Sequence, residues 1–155
     1  MSDIFSIVSA RIIDAPRPLV FKAWEDPEIL MTWWGPQGFT NTFHQFDFAP
    51  GGTWSFTMHG PDGTDYPNTN VFESIVFPEL IVFNHQEPVH QFKATATFDE
   101  AGTKTKLVFH MLFESAGECA RVKPYVSIAN EQNFDRLETA LSKLSVINPF
   151  DHLTN

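Results

Sequence analysis

Trp33-Trp34-Gly35-Pro36 and, further along, Phe46-Asp47-Phe48-Ala49-Pro50-Gly51-Gly52-Thr53-Trp54-Ser55-Phe56 decide the fold. The first run ends a short helix. Asp26-Pro27-Glu28 opens that helix, Ile29, Leu30, Trp33 and Trp34 give it an apolar side, and Gly35-Pro36 stops it. The second run is a tight turn, Pro50-Gly51-Gly52, between two segments in which the hydrophobic period is two. Three of the four tryptophans lie in these two pieces. Aromatic bulk around a bend in a sheet predicts a wall around a space rather than chemistry done by charges.

Outward from the turn, Thr40 to Phe48 and Thr53 to His59 read as strands. Gly60-Pro61-Asp62-Gly63 supplies a second turn. Asn70 to Phe77, Leu80 to Asn84, Phe92 to Phe98 and Lys104 to Phe113 read as four more strands. Upstream, Phe5 to Ile13 is a first strand, and Pro16-Arg17-Pro18 begins a helix carrying Leu19, Val20, Ala23 and Trp24 on its apolar side. Downstream, Ser115-Ala116-Gly117-Glu118 is a capping-box pattern. A helical period then runs from Val126 to Leu144, with Pro124 expected to kink or restart it. The order β-α-α-β(6)-α predicts an α+β fold: a curved seven-stranded antiparallel sheet wrapped around a long C-terminal helix, with two short helices after strand 1. A single domain over residues 1–147 is expected, with a loose tail at 148–155.

The totals agree with one domain. A chain of 155 residues buries roughly 70% of the surface its unfolded form exposes. Sixteen phenylalanines must fill a core or line a cavity within it. The net charge of −9 argues against nucleic-acid or anionic-membrane partners, because cations are few and scattered. The one cysteine, Cys119, allows no internal disulfide and fits a reducing cytoplasm. No basic-then-apolar leader is evident at Met1 to Ser6, and no apolar run is long enough to span a membrane.

The run Trp33-Trp34-Gly35-Pro36, the stretch Phe46 to Phe56, the turn Gly60 to Gly63 and the run Val71 to Phe83 together resemble the SRPBCC superfamily, the START/Bet v1-like helix-grip fold. Within it, the chain looks like the branch named for activator of Hsp90 ATPase homologues. The likeness covers roughly residues 7–145. It implies a deep cavity between the curved sheet and the C-terminal helix, suited to a hydrophobic small molecule. Members of the branch often carry Gly-Trp early in the last helix; this chain has Asn133-Phe134 instead.

Strand alternation assigns candidate walls. Trp54, Phe56 and Met58 share a face; so do Phe109 and Met111, with Leu107 and Phe113; and so do His44, Phe46 and Phe48, set against Phe43, Gln45 and Asp47. With the more apolar set turned inward, His44 faces in and His110 faces out. On the last helix, Asn130, Asn133 and Phe134 precede the core positions Leu137, Leu141 and Leu144. One of Trp33 and Trp34 is expected in the core and the other at the cavity rim; the sequence leaves open which. The candidate ligand-binding set is therefore Trp33, Trp34, His44, Phe46, Trp54, Phe56, Met58, Phe109, Met111, Asn130, Asn133 and Phe134, with His44 and Asn133 as polar handles. Each has a plainer alternative: His44 as a hydrogen-bonded core histidine, the aromatic faces as solid core, and the two asparagines as solvent-facing.

Other chemistry finds little support in the spacing. The histidines show neither H-x-H nor H-E-x-x-H, and His85 and His90 are separated by a Pro-containing loop, so no metal and no other cofactor is expected. Nucleophile-elbow and phosphate-loop patterns are missing. Cys119 lies near a helix start, which lowers a thiol pKa, but has no evident base beside it. The expected function is binding of a small hydrophobic or aromatic molecule, more in keeping with a non-enzyme. Two alternatives stand beside it. One is a cyclase or isomerase in the same cavity, drawing on His44, Glu73, Tyr125 and Asp47. The other is a co-chaperone-like interaction module. An exposed edge strand makes a homodimer plausible.

Overall fold

The structure, a computed structural model, describes residues 3–86 and 91–147, without the side chains of 145–147. His90, His152 and the expected tail at 148–155 lie outside the described residues. The elements are β1 (Ser6–Ile13), α1 (Arg17–Glu25), α2 (Pro27–Trp33), β2 (Thr40–Phe46), β3 (Thr53–His59), β4 (Asp65–Val76), β5 (Leu80–His85), β6 (Phe92–Ala101), β7 (Lys104–Phe113) and α3 (Ala116–Ile147). The seven strands form one antiparallel sheet in the order β1-β7-β6-β5-β4-β3-β2. The expected helix-grip architecture is the observed one: β2 to β7 form a meander, and β1 returns to pair with β7.

Local chemistry places the elements. Pro16 caps α1 in extended backbone. The Asp26 carboxylate accepts from the Glu28 N–H at 3.0 Å, with Pro27 in the first turn of α2, where its missing N–H costs no helical bond. Ser115 Oγ accepts from the Glu118 N–H at 3.2 Å at the head of α3. That helix continues through Pro124 as one element, so the expected restart does not occur.

The turn at Pro50-Gly51-Gly52 is fixed by close backbone approach. A Cβ on Gly52 would run into the backbone oxygen of Asp47. The Gly52 carbonyl meanwhile accepts from Phe72 N–H at 2.9 Å, tying the turn to β4.

Three strand boundaries differ from the sequence reading by two residues or more. β6 runs on to Ala101 rather than ending at Phe98. β2 ends at Phe46 rather than Phe48. β4 begins at Asp65, because Pro67 lies where β4 pairs with β3 alone. Pairing with β5 starts only at Asn70, so no ladder bond is lost to the proline.

The concave face of the sheet carries the core. All four tryptophans join in one cluster, with ring centroids 5.2 Å apart for Trp24–Trp33, 5.5 Å for Trp24–Trp34 and 5.0 Å for Trp34–Trp54. Phe43, Phe46, Phe48 and Phe72 extend it towards the β2 edge. No helix among the described residues is long and apolar enough to cross a membrane.

Candidate ligand-binding cavity

Between the concave face and α3 the packing is incomplete. A cavity of about 270 Å3 is bounded by the sheet on one side, α3 on another, and the segment after α2 on a third. Phe56 and Met58 of β3, Phe83 of β5, Phe92 of β6, and Met111 and Phe113 of β7 form its floor. Val122, Val126, Ala129, Asn130 and Asn133 of α3 form its roof, and Trp34, Gly35 and Pro36 close one end. A smaller chamber of about 90 Å3 adjoins it, walled by Trp24, Trp33, Phe109 and Phe134. The two share Trp34, Phe92, Met111, Asn130 and Asn133 as walls. A broader and more polar hollow of about 670 Å3 runs along the ends of β5, β6 and β7 and shares His85, Phe92 and Phe113 with the cavity. The cavity between sheet and helix is the better candidate, because apolar side chains from both layers line it.

The end wall owes its position to α3. Arg136 sends its guanidinium into the segment after α2. Nη1 donates to the carbonyls of Gly35 at 2.9 Å, Pro36 at 3.0 Å and Trp34 at 3.3 Å, and Nη2 donates to Phe39 at 2.9 Å and Thr32 at 3.1 Å. Burial alone moves the Arg136 pKa, downward. Backbone dipoles take the place of a carboxylate partner. Asn133 works beside it: its Oδ1 accepts from Gly35 N–H at 3.2 Å and its Nδ2 donates to Trp33 O at 3.0 Å. Gln132 accepts from the Gln37 N–H at 3.1 Å. On the other side of α3, Arg11 of β1 pairs with Glu131, Asp135 and Glu138 at 2.7–2.8 Å. Burial opposes the Arg11 charge, but hydrogen bonds to the three carboxylates outweigh it and hold its pKa above the ordinary value.

Polar groups in the main cavity gather at two places. On the sheet, Asn70 is fully buried and its Oδ1 lies 2.7 Å from His85 Nδ1, which makes Nδ1–H the donor. The His85 ring stacks on Phe92 at 4.8 Å, and Asn68 lies one alternation before Asn70. On α3, Asn130 Nδ2 donates to Ser9 Oγ at 3.1 Å and approaches Met111 Sδ at 3.6 Å. The described lining includes no carboxylate, ammonium, guanidinium or thiol. No cluster of metal-ligating side chains occurs among the described residues.

Of the candidate set, Trp34, Phe56, Met58, Met111, Asn130 and Asn133 line the main cavity. Trp33, Phe109 and Phe134 line the small chamber. Trp33 is the core tryptophan, donating to Ala23 O at 3.0 Å, and Trp34 is the one at the cavity.

Four placements need correction. His44 does not face in. A β-bulge between Phe43 and Gln45 gives β2 an extra residue there, so His44 lies on the outer face, 2.8 Å from Thr57 Oγ1, while Phe43 and Phe46 both turn inward. Phe46 and Trp54 face in but line neither chamber; the Trp54 ring stacks behind Phe56 at 4.8 Å and the Phe46 ring on Phe48 at 5.8 Å, in aromatic core. Asn133 is not a free handle, because both ends of its amide are engaged by the end wall.

Asn68, Asn70, His85, Phe92 and Phe113 were not in the set. Carrying the alternation of β4 back from Phe72, and that of β5 on from Phe83, is the signal that would have found the first three. Cys119 also departs from expectation: burial pushes its thiol up, with Asp3 adding and Lys123 partly opposing.

A curved antiparallel sheet gripping a long helix over an apolar cavity defines the class: a helix-grip protein. The family model described as activator of Hsp90 ATPase homolog 1-like protein matches residues 14–142, and the chain belongs to that family. Solved structures agree on the fold. A protein from Arthrobacter aurescens is 24% identical, with a TM-score of 0.84 over 92% of this chain and 90% of its own. One from Nitrosomonas europaea is 17% identical, with a TM-score of 0.83 over 92% of this chain and 97% of its own. One from Rhizobium leguminosarum is 25% identical, with a TM-score of 0.67 over 89% and 94%. No curated protein matches the chain.

Proposed function

We propose that this protein binds a small, neutral, mainly aromatic molecule in the cavity between its sheet and α3. The supporting observation is the composition of the cavity wall: rings, thioethers and aliphatic side chains, interrupted only by amides and one imidazole. Such a wall favours apolar area and leaves a charged ligand without compensation. The groups named for an acid–base enzyme lie elsewhere. Glu73 pairs with Lys93 at 3.0 Å on the outer face, Tyr125 is 76% exposed, and Asp47 is exposed beside the Gly52 turn. A reducing, cytoplasmic setting agrees with the free, buried Cys119. Titration with the neutral fluorophore N-phenyl-1-naphthylamine tests the reading. Saturable enhancement at one molecule per chain is expected, and no saturable binding would overturn it.

A further inference from the structure

The walls of the main cavity keep hydrogen-bonding capacity that no described protein group uses. Asn130, on the roof, is fixed at its nitrogen end: Nδ2 donates to Ser9 Oγ at 3.1 Å and lies 3.6 Å from Met111 Sδ. A thioether only accepts, so the nitrogen is the end that belongs there. Oδ1 is left without a partner among the described residues, and it is not one of the buried unpartnered atoms, so it keeps accessible surface. Trp34 Nε1, on the end wall, is in the same position. The rings of Trp24, Trp33, Trp54, Phe83 and Phe109 pack around that indole at 5.0–6.2 Å, but nothing described accepts from its N–H.

The two groups are neighbours. Asn133 bonds to Trp33 O and to Gly35 N–H, the peptide groups on either side of Trp34. Asn130 stands one turn back on the same face of α3, about 4.5 Å along the axis. The floor holds two further groups. Asn70 gives its Oδ1 to His85 Nδ1–H and leaves Nδ2 without a described partner, but at 1% exposure it offers less than Trp34. Asn68 spends its nitrogen on Tyr66 O at 2.8 Å and keeps its oxygen.

We propose that the ligand carries a hydroxyl that accepts from Trp34 Nε1–H and donates to Asn130 Oδ1. An indole N–H only donates and an amide oxygen only accepts, and a hydroxyl is the smallest neutral group that answers both. With an aromatic and thioether wall around it, the ligand class is then an uncharged phenol, its ring system lying against Phe56 and Met111. This rests on the cavity being a binding site, and deepens that reading by giving the ligand its polar group and the two residues that read it.

The test titrates the full chain with 2-naphthol and 2-methylnaphthalene, which are nearly equal in shape. A wall offering the hydroxyl nothing favours the hydrocarbon by about tenfold or more; the proposal expects the phenol to bind at least as tightly. Asn130→Leu, close in shape, should swing the ratio about tenfold towards the hydrocarbon. The indole 1H–15N resonance of Trp34 should lie further downfield in the phenol complex than in the hydrocarbon complex. Both probes bring the same rings, so that difference reads the hydroxyl.

Tighter binding of the hydrocarbon, a ratio unchanged in Asn130→Leu, or the same Trp34 indole position in both complexes would overturn the proposal. The first and third readings use the unmutated protein, so they decide even if Asn130→Leu does not fold. Tighter binding of the hydrocarbon sinks this inference alone; binding of neither probe sinks it together with the cavity reading.

Discussion

Arg136 Nη1 and the Gly35 carbonyl are 2.9 Å apart, and this contact joins the C-terminal helix to the Trp-Trp-Gly-Pro run that closes the cavity. A guanidinium with five N–H groups in a plane suits a cluster of carbonyls converging from Thr32 to Phe39. The same turn of α3 supplies Asn133, so the end wall is held to the roof from both sides of Gly35. The cavity is therefore defined by polar bonds at its end and by apolar packing elsewhere.

Replacing Arg136 removes those bonds and leaves the carbonyls to find water. Arg136→Met should lower stability by about 2–4 kcal/mol and shift the tryptophan emission, because Trp34 moves with the segment. Arg136→Lys should recover only part of the loss, since one ammonium cannot reach carbonyls spread over eight residues. Urea unfolding followed by fluorescence measures both. Full stability in Arg136→Met would mean that packing alone sets the end wall.

Two glycines of the motifs should respond differently to alanine. At Gly35 the backbone has φ of +100°, and an added Cβ would meet Met58 Cε at 2.7 Å. The methionine tip can swing away, so the lasting cost is the backbone conformation, about 1–2 kcal/mol, and Met58→Ala should not rescue it. At Gly52 the obstacle is the Asp47 backbone, which cannot move without breaking the turn. Gly52→Ala should therefore cost more than Gly35→Ala in the same unfolding assay, and the reverse order would contradict this account of the turn.

Cys119 gives a pH prediction. Burial holds its folded pKa above the ordinary 9.0, so at pH values between the unfolded and folded pKa the native state binds more protons than the unfolded one. Stability from this group is full below the ordinary value and falls as pH rises through the folded one. Unfolding free energy should decline above about pH 9, and Cys119→Ala should show a shallower decline. Disulfide-exchange reagents should label Cys119 far faster in urea than in buffer.

Much of the fold was legible because the signals were local and redundant. Asp26-Pro27, Pro50-Gly51-Gly52 and Ser115 to Glu118 each mark a boundary through their own backbone chemistry, and the strands between keep a period of two. The site was less legible for two physical reasons. A single inserted residue at His44 inverted the face assignment of Phe43 and His44 while Phe46 kept its own, and nothing in Phe43-His44-Gln45 announces a bulge. Alternation also says which side of a strand faces in but not how far along the sheet the helix leaves a gap. Phe46 and Trp54 were thus assigned to a wall when they are core, while Phe92 and Phe113, at the open end, were missed. Arg136 escaped notice because its partners are backbone carbonyls, which no side-chain pattern reveals.

The most direct test of the central claim compares N-phenyl-1-naphthylamine binding by the unmodified protein and by Ala129→Phe. Ala129 is on the roof of the main cavity and partly exposed, so a phenyl group there fills the space with little disturbance to the core. The account predicts saturable one-to-one binding by the first protein and at least a tenfold loss in the second, with stability changed by about 1 kcal/mol or less. Equal binding by both would place the probe elsewhere and contradict the assignment of the cavity as the binding site.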